Sequence, residues 1–94
     1  MYILRETFTA KPGMASKLAH LFKEVLALEL PGKSRVLTDA IGPFNTVVLE
    51  TEVPDLAMFE KLMKEYGERT DIRGRMKGYT DLYLTGGREF YREV

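Results

Sequence analysis

The segment over residues 38–49 constrains the fold of this chain more than any other, because it is typical of two short strands joined by a turn. Gly42 tolerates a positive φ, and Pro43 has a fixed φ and no amide proton to donate to a sheet. Strand pairing is therefore expected to stop at this turn and to resume after it. The segment predicts a hairpin whose strands cover 35–41 and 46–53.

The hydrophobic pattern predicts a first strand and two amphipathic helices around this hairpin. Apolar and polar residues alternate over 2–10, which is typical of a strand with one buried face. Over 14–28 the apolar residues recur at helical spacing, and this helix is expected to end near 31–32. A second helix is predicted to begin at Asp55 and to end at Gly67.

The stretch over 68–87 has two interpretations. Apolar residues at helical spacing favour a further helix capped by Thr70. Two glycines within it each cost a helix about 1 kcal/mol relative to Ala, so an irregular stretch with a strand over 80–84 is the alternative. Gly86-Gly87 is expected to break whatever precedes it, and alternation over 88–94 predicts a last strand. The residues at helical spacing are Ile72, Met76, Tyr79 and Tyr83.

The predicted order of elements is β-α-β-β-α-(α)-β, with no composition shift or linker that would divide residues 1–94 into two domains. This order matches the split βαβ, ferredoxin-like plan of the α+β class, with an antiparallel sheet. Helices on one face of such a sheet leave the other face uncovered, and pairing two sheets would cover it. The sequence therefore predicts a homodimer.

Composition argues against several classes of function. Fourteen basic residues balance fourteen acidic ones, so the chain lacks the positive field that drives binding to nucleic acid. With no cysteine there is neither a disulfide framework nor a thiol nucleophile. The strand-like, charged first residues do not resemble a signal peptide, and no apolar run approaches the ~20 residues that span a bilayer. We expect a cytoplasmic protein without nucleic-acid or membrane partners.

Three pieces of the sequence carry a resemblance to a known family. The opening strand runs into Thr9-Ala10-Lys11-Pro12-Gly13, the central turn and strand have the sequence Ile41-Gly42-Pro43-Phe44-Asn45-Thr46-Val47-Val48, and a late strand has Arg88-Glu89-Phe90-Tyr91. Together they resemble the NIPSNAP-like domains of the dimeric α+β barrel superfamily, over nearly the whole chain. The resemblance implies a homodimer with a central barrel and a cleft between each sheet and its helices. Other members of this superfamily include small monooxygenases, haem-degrading enzymes and muconolactone isomerases.

Glu6 is the first candidate for chemistry in such a cleft. Alternation places its carboxylate on the same strand face as Tyr2, Leu4 and Phe8, toward the helices. A carboxylate on an apolar face is expected to be paired. The resemblance to haem-degrading monooxygenases also implies a pocket-facing polar residue at this strand position. The alternatives are a purely structural pair with a neighbouring Arg or Lys, and a one-residue slip that turns Glu6 outward.

Aromatic and methionine side chains at helical spacing are candidates for the apolar wall of the same cleft, although burial in the core alone would explain them. On the opposite sheet face, polar and apolar side chains are expected to line the barrel between subunits, where Arg5 and Glu50 would pair across strands. The predicted cleft residues are Glu6, Phe59, Met63, Met76, Tyr79 and Tyr83. The predicted barrel-interior residues are Arg5, Thr7, Val48 and Glu50.

His20 is the only histidine, and its place on the first helix lies roughly opposite the apolar stripe, so it is expected to face solvent. One histidine cannot form the two- or three-histidine sites of most catalytic metals. We therefore predict no metal and no cofactor.

The residues and the resemblance together favour a NIPSNAP-like homodimer that binds a small apolar molecule in its sheet–helix cleft. One alternative is a cofactor-free monooxygenase or isomerase in which Glu6 acts as the base and Tyr79 or Tyr83 orients the substrate. The other is a dimeric scaffold without a ligand, which predicts a core filled by methionine and aromatic side chains.

Overall fold

A four-stranded antiparallel sheet with the order β2-β3-β1-β4 organises the computed structural model, which describes residues 1–94. The α+β, ferredoxin-like prediction is confirmed, because the helices pack on one face of this sheet. The strands are β1 (Tyr2–Ala10), β2 (Lys33–Thr38), β3 (Thr46–Val53) and β4 (Tyr83–Arg92). The helices are α1 (Ala15–Leu26), α2 (Leu56–Glu68) and α3 (Thr70–Arg75), followed by a 3₁₀ turn, Tyr79–Asp81.

The central strand, β1, pairs with β3 on one side and with β4 on the other. In this register Glu6 lies between Leu49 of β3 and Arg88 of β4. Directly paired residues of an antiparallel sheet point to the same face, so all three side chains face the helices. The alternation along β1 therefore determines which side chains can meet beneath the helices.

The predicted β2–β3 hairpin is present, but β2 is shorter than expected and ends at Thr38. The loop over 39–45 is closed by the Asp39 carboxylate, which accepts a hydrogen bond of 2.9 Å from the Thr46 amide. Asn45 has a φ of 65°, in the left-handed region that asparagine tolerates better than most other residues do. The pairing therefore breaks three residues before the predicted end of the strand.

Helix α1 buries Leu18, Phe22 and Val25 against the sheet, as the helical spacing predicts. It ends at Leu26 rather than near residues 31–32. The reason lies at Gly32, where an added Cβ would approach the Glu52 carbonyl oxygen to 2.8 Å and where φ is +85°. The chain must leave the helix early to bring this glycine against β3.

At the start of α2 the Asp55 side chain accepts a hydrogen bond of 2.8 Å from the Met58 amide, so the predicted N-cap is confirmed. The stretch that follows α2 combines both interpretations of the sequence, because a short helix is followed by the 3₁₀ turn and by β4. Thr70 is the first residue of α3 and not its cap, which is Arg69.

The predicted break at Gly86-Gly87 is wrong, because both glycines lie inside β4, opposite Phe8 and Thr7 of β1. A Cβ at Gly86 would lie 2.8 Å from Cδ1 of the Phe8 ring. The glycine therefore marks a close approach of a side chain to the strand and not the end of pairing.

Candidate functional site

A cleft of about 310 Å³ opens between the sheet and the helices. Its walls come from strands β1, β3 and β4, from all three helices, and from the segment between α3 and β4. Eight of its eleven lining residues are hydrophobic. The lining residues are Glu6, Phe8, Phe22, Val25, Leu49, Tyr66, Ile72, Arg73, Met76, Tyr79 and Arg88.

Glu6 and Arg88 form an ion pair in this cleft. The Arg88 guanidinium donates from Nη2 and Nε to the same carboxylate oxygen, Oε2 of Glu6, at 2.9 and 3.2 Å. The Glu6 side chain is 12% exposed and the Arg88 side chain 54%, so the carboxylate lies inside the cleft and the guanidinium at its mouth. The carboxylate thus has the partner that its position on an apolar face requires.

Two tyrosines beside this pair are held in the neutral form. Burial, followed by the Glu6 charge, raises the pKa of Tyr66 to about 12, against a smaller opposite effect of the Thr51 hydroxyl. The Tyr66 hydroxyl is sealed from solvent and makes no hydrogen bond of standard geometry. Burial, followed by the neighbouring Tyr83, also raises the pKa of Tyr79. A phenol is protonated at neutral pH even without these shifts, and the raised pKa values extend this to more alkaline pH, so neither tyrosine adds negative charge to the cleft.

Arg73 supplies the third charge of the lining. It lies exposed on α3 and makes no ion pair, whereas Arg75 on the same helix approaches the Glu24 carboxylate at 4.0 Å. Two guanidinium groups and one carboxylate thus line the cleft, which leaves one net positive charge.

The predicted cleft residues divide into two groups in the structure. Glu6, Met76 and Tyr79 line the cleft, and Tyr83 lies just behind it, with its ring centroid 5.0 Å from that of Phe8. Phe59 and Met63 lie elsewhere, packed against a second core cluster of Leu4, Val53 and Leu62.

The position of α2 explains this division. Phe59 contacts Phe90 of β4, with ring centroids 4.3 Å apart, and Phe90 in turn stacks on Tyr2. This aromatic stack occupies the space beneath the first turns of α2, and only the last full turn, with Tyr66, reaches the cleft.

Sequence reasoning missed Arg73 and Arg88 as cleft residues. For Arg88 a partial signal existed, because the sequence already favoured a pair between Glu6 and a neighbouring Arg or Lys, and the register of β1 with β4 shows that this partner is Arg88. Arg73 belongs to a basic cluster in the sequence, with Arg69, Arg75 and Lys77, that is typical of a solvated helical face and also compatible with an anion site, and the sequence does not single out Arg73 within it. The apolar lining from α1, Phe22 and Val25, belongs to the stripe that the helical spacing had identified.

The opposite face of the sheet carries a separate ion-pair network. Glu50 is only 6% exposed, and its carboxylate accepts hydrogen bonds from Arg35 at 2.6 Å and from Arg5 at 3.0 Å. The Arg35 hydrogen bond, and then that of Arg5, lowers the pKa of Glu50 against the opposing effect of burial. The expected Arg5–Glu50 pair is therefore present, and Thr7 and Val48 lie half-buried on the same face.

His20 is exposed on α1, as its place opposite the apolar stripe predicts. No group of three or more histidine, cysteine or acidic residues lies close enough together to hold a metal ion. None of the helices has the length and the apolar character needed to cross a bilayer.

No protein-family model and no curated protein matches this sequence. Among solved structures, an uncharacterized NIPSNAP-like domain protein from Burkholderia xenovorans superimposes with a TM-score of 0.84 at 16% identity, over 99% of this chain and 84% of the other. A NIPSNAP family protein from Agrobacterium tumefaciens gives 0.85 at 13% identity, over 99% and 92% of the two chains. A putative antibiotic biosynthesis monooxygenase from Chloroflexus aurantiacus gives 0.76 at 17% identity, over 99% and 92%. The resemblance stated from the sequence is thus confirmed for the fold, which this chain shares with NIPSNAP-like domain proteins and with proteins of the antibiotic biosynthesis monooxygenase type.

Proposed function

We propose that the protein is a homodimer, with one domain over residues 1–94 in each subunit, and that its sheet–helix cleft binds a small, largely apolar molecule. The cleft itself carries this proposal. A cavity of about 310 Å³ with mostly hydrophobic walls and a few convergent polar groups has the size and composition of ordinary ligand sites. The same cavity weighs against a ligand-free scaffold, which would fill this space with side chains.

The uncovered face of the sheet supports the homodimer. No helix packs on this face, although Ile3 and Val48 lie there half-buried and Leu37 and Tyr91 are 39% and 43% exposed. Apolar side chains on an open sheet face favour association with a second sheet. In a homodimer Arg5, Thr7, Val48 and Glu50 would line the barrel interior. Native mass spectrometry tests this, because a species at the subunit mass of 10.8 kDa alone would contradict the homodimer.

A neutral fluorescent probe, N-phenyl-1-naphthylamine, tests whether the cleft binds apolar molecules. Met76→Trp should fill the cleft and abolish the fluorescence enhancement seen with the unaltered protein, because Met76 is part of its wall. Leu56→Trp is the matched control, since Leu56 is 54% exposed and lies outside the lining. Equal binding by the two variants would show that the probe occupies another surface.

A cytoplasmic location belongs to the same proposal. The sequence has no cysteine and so places no demand on an oxidising compartment. Fractionation of cells that express the protein at its native level would test this, and recovery in the membrane or extracellular fraction would contradict it.

A further inference from the structure

The three charged groups of the cleft differ in whether an opposite charge of the chain neutralises them. The Glu6 carboxylate receives two hydrogen bonds from Arg88, so these two charges largely neutralise each other. Arg73 lines the same cleft and makes no ion pair or side-chain hydrogen bond with any residue of the chain. The uncompensated charge of the site is therefore a guanidinium, a group that carries several hydrogen-bond donors and no acceptor.

The other polar groups around the cleft also favour a hydrogen-bond acceptor in the ligand. In Arg88 only Nε and Nη2 bind Glu6, which leaves Nη1 without a partner. Tyr79 adds a neutral phenol, which lies beside that of Tyr83 and brings no negative charge that would repel an anion. Guanidinium groups bind oxyanions more strongly than they bind neutral acceptors, because both the donor and the acceptor are charged.

The remaining wall is apolar. Phe22, Val25 and Ile72 are buried core residues whose side chains also border the cleft, and Met76 lies next to them. Such a wall binds hydrocarbon or aromatic surface and offers nothing to a second charged group.

We propose that the ligand of the cleft is a small organic anion, with one negatively charged group bound at Arg73 and an apolar body packed between α1 and α3. This inference rests on the proposed function and narrows it to one chemical class. The Arg73 charge then favours anions over neutral apolar molecules, and the apolar wall disfavours molecules that carry several charges.

Two fluorescent probes separate the charge from the apolar body. 8-Anilino-1-naphthalenesulfonate and N-phenyl-1-naphthylamine share the same aromatic skeleton, and only the first carries a sulfonate. With the unaltered protein at low ionic strength, the sulfonate probe should bind about two- to fivefold more tightly than the neutral one, as expected for a charge pair at an exposed guanidinium. Raising the salt concentration should reduce this preference, because salt screens exposed charges.

Three variants assign the preference to Arg73. Arg73→Met should remove the preference for the sulfonate while leaving the neutral probe bound, and Arg73→Lys should restore part of it because the charge returns. Arg75→Met is the matched control on the same helix, where it removes an equal charge outside the cleft lining. It should leave both affinities close to those of the unaltered protein.

Each outcome decides between the proposals. Equal affinity for the two probes would overturn the organic-anion inference and leave cleft binding intact. A sulfonate preference that survives Arg73→Met, or one that Arg75→Met removes equally, would also overturn it, since the charge would then act from elsewhere. Failure of both probes to bind would refute the proposed apolar site together with this inference.

Discussion

Replacing Gly86 by Ala adds a single methyl group at the closest contact between β4 and the core. The new Cβ would lie 2.8 Å from Cδ1 and 3.1 Å from Cε1 of the Phe8 ring. The backbone of Gly86 is not in the left-handed region, so alanine can adopt its conformation. The effect of the substitution therefore comes from packing and not from backbone strain.

The magnitude follows from how far the ring must move. Ordinary contacts begin at 3.4 Å, so the ring must retreat by about 0.6 Å. It is held by Phe22 and Tyr83, whose ring centroids lie 5.1 and 5.0 Å away. Overpacking of this kind lowers the free energy of unfolding by about 1–3 kcal/mol. Replacing glycine by alanine raises it by about 0.4–1 kcal/mol, because alanine restricts the unfolded chain. We expect a net loss of about 1–2 kcal/mol in the free energy of unfolding, which corresponds to about 4–16 °C in Tm for a domain of this size.

Urea unfolding at a fixed protein concentration measures this loss, since the stability of the homodimer proposed above would depend on concentration. Gly67→Ala is the control, because the backbone of Gly67 is not in the left-handed region and its added Cβ meets nothing within 4 Å. It should leave the free energy of unfolding unchanged or raise it by up to about 1 kcal/mol, since alanine favours a helix. If Gly86→Ala proves as stable as Gly67→Ala, the close approach of the Phe8 ring to β4 does not exist and the register of β1 with β4 is in doubt.

Three further substitutions test the charges and the helix cap. Glu50→Gln should destabilise the fold by about 1 kcal/mol at pH 7. The pKa of Glu50 is lowered from 4.5 in the folded state, so the carboxylate stabilises the fold above about pH 4.5 and loses this effect as the pH falls further. The difference in the free energy of unfolding between the variant and the unaltered protein should therefore shrink as the pH falls below about 4.5, and a constant difference in urea unfolding would contradict the ion pairs. Asp55→Ala should lower the free energy of unfolding by about 1 kcal/mol, because it removes the N-cap of α2. Glu60→Ala on the same helix should lower it much less, and equal losses would mean that the cap contributes nothing. Glu6→Gln removes the only negative charge of the cleft lining. In a fluorescence titration the sulfonate probe should therefore bind about two- to fivefold more tightly to this variant. Weaker binding would mean that the carboxylate itself contacts the probe.

Much of the fold could be predicted because its determinants are local. The turn at Gly42-Pro43 and the Asp55 cap act within a few residues, and both appear in the structure close to where the sequence indicates. The alternation along β1 also determines the face to which Glu6 points, since the side-chain period of a strand is two. Alternation alone could thus predict that the carboxylate faces the helices, with a one-residue slip of the strand as the alternative.

The errors arose where residues far apart in sequence meet. Gly86-Gly87 has the composition of a turn, and only the Phe8 ring, which lies 78 positions earlier in the chain, shows why a strand needs a glycine there. Phe59 shares the helical stripe of α2 with residues near the cleft, but its contact with Phe90 places it in the other core cluster. Periodicity identifies which face of an element is buried and does not identify what the face is buried against.

The fate of Glu6 shows how register and charge combine in this cleft. From the sequence, a structural ion pair and a cleft carboxylate were opposed interpretations, yet the structure places the paired carboxylate within the cleft. The pairing of β1 with β4 brings Arg88 to Glu6, so the charge of the carboxylate is largely neutralised within the protein. The charge that remains in the cleft is then the one on Arg73, which no other residue of the chain compensates. The strand register thereby turns a cleft that contains an acidic residue into one suited to an anion.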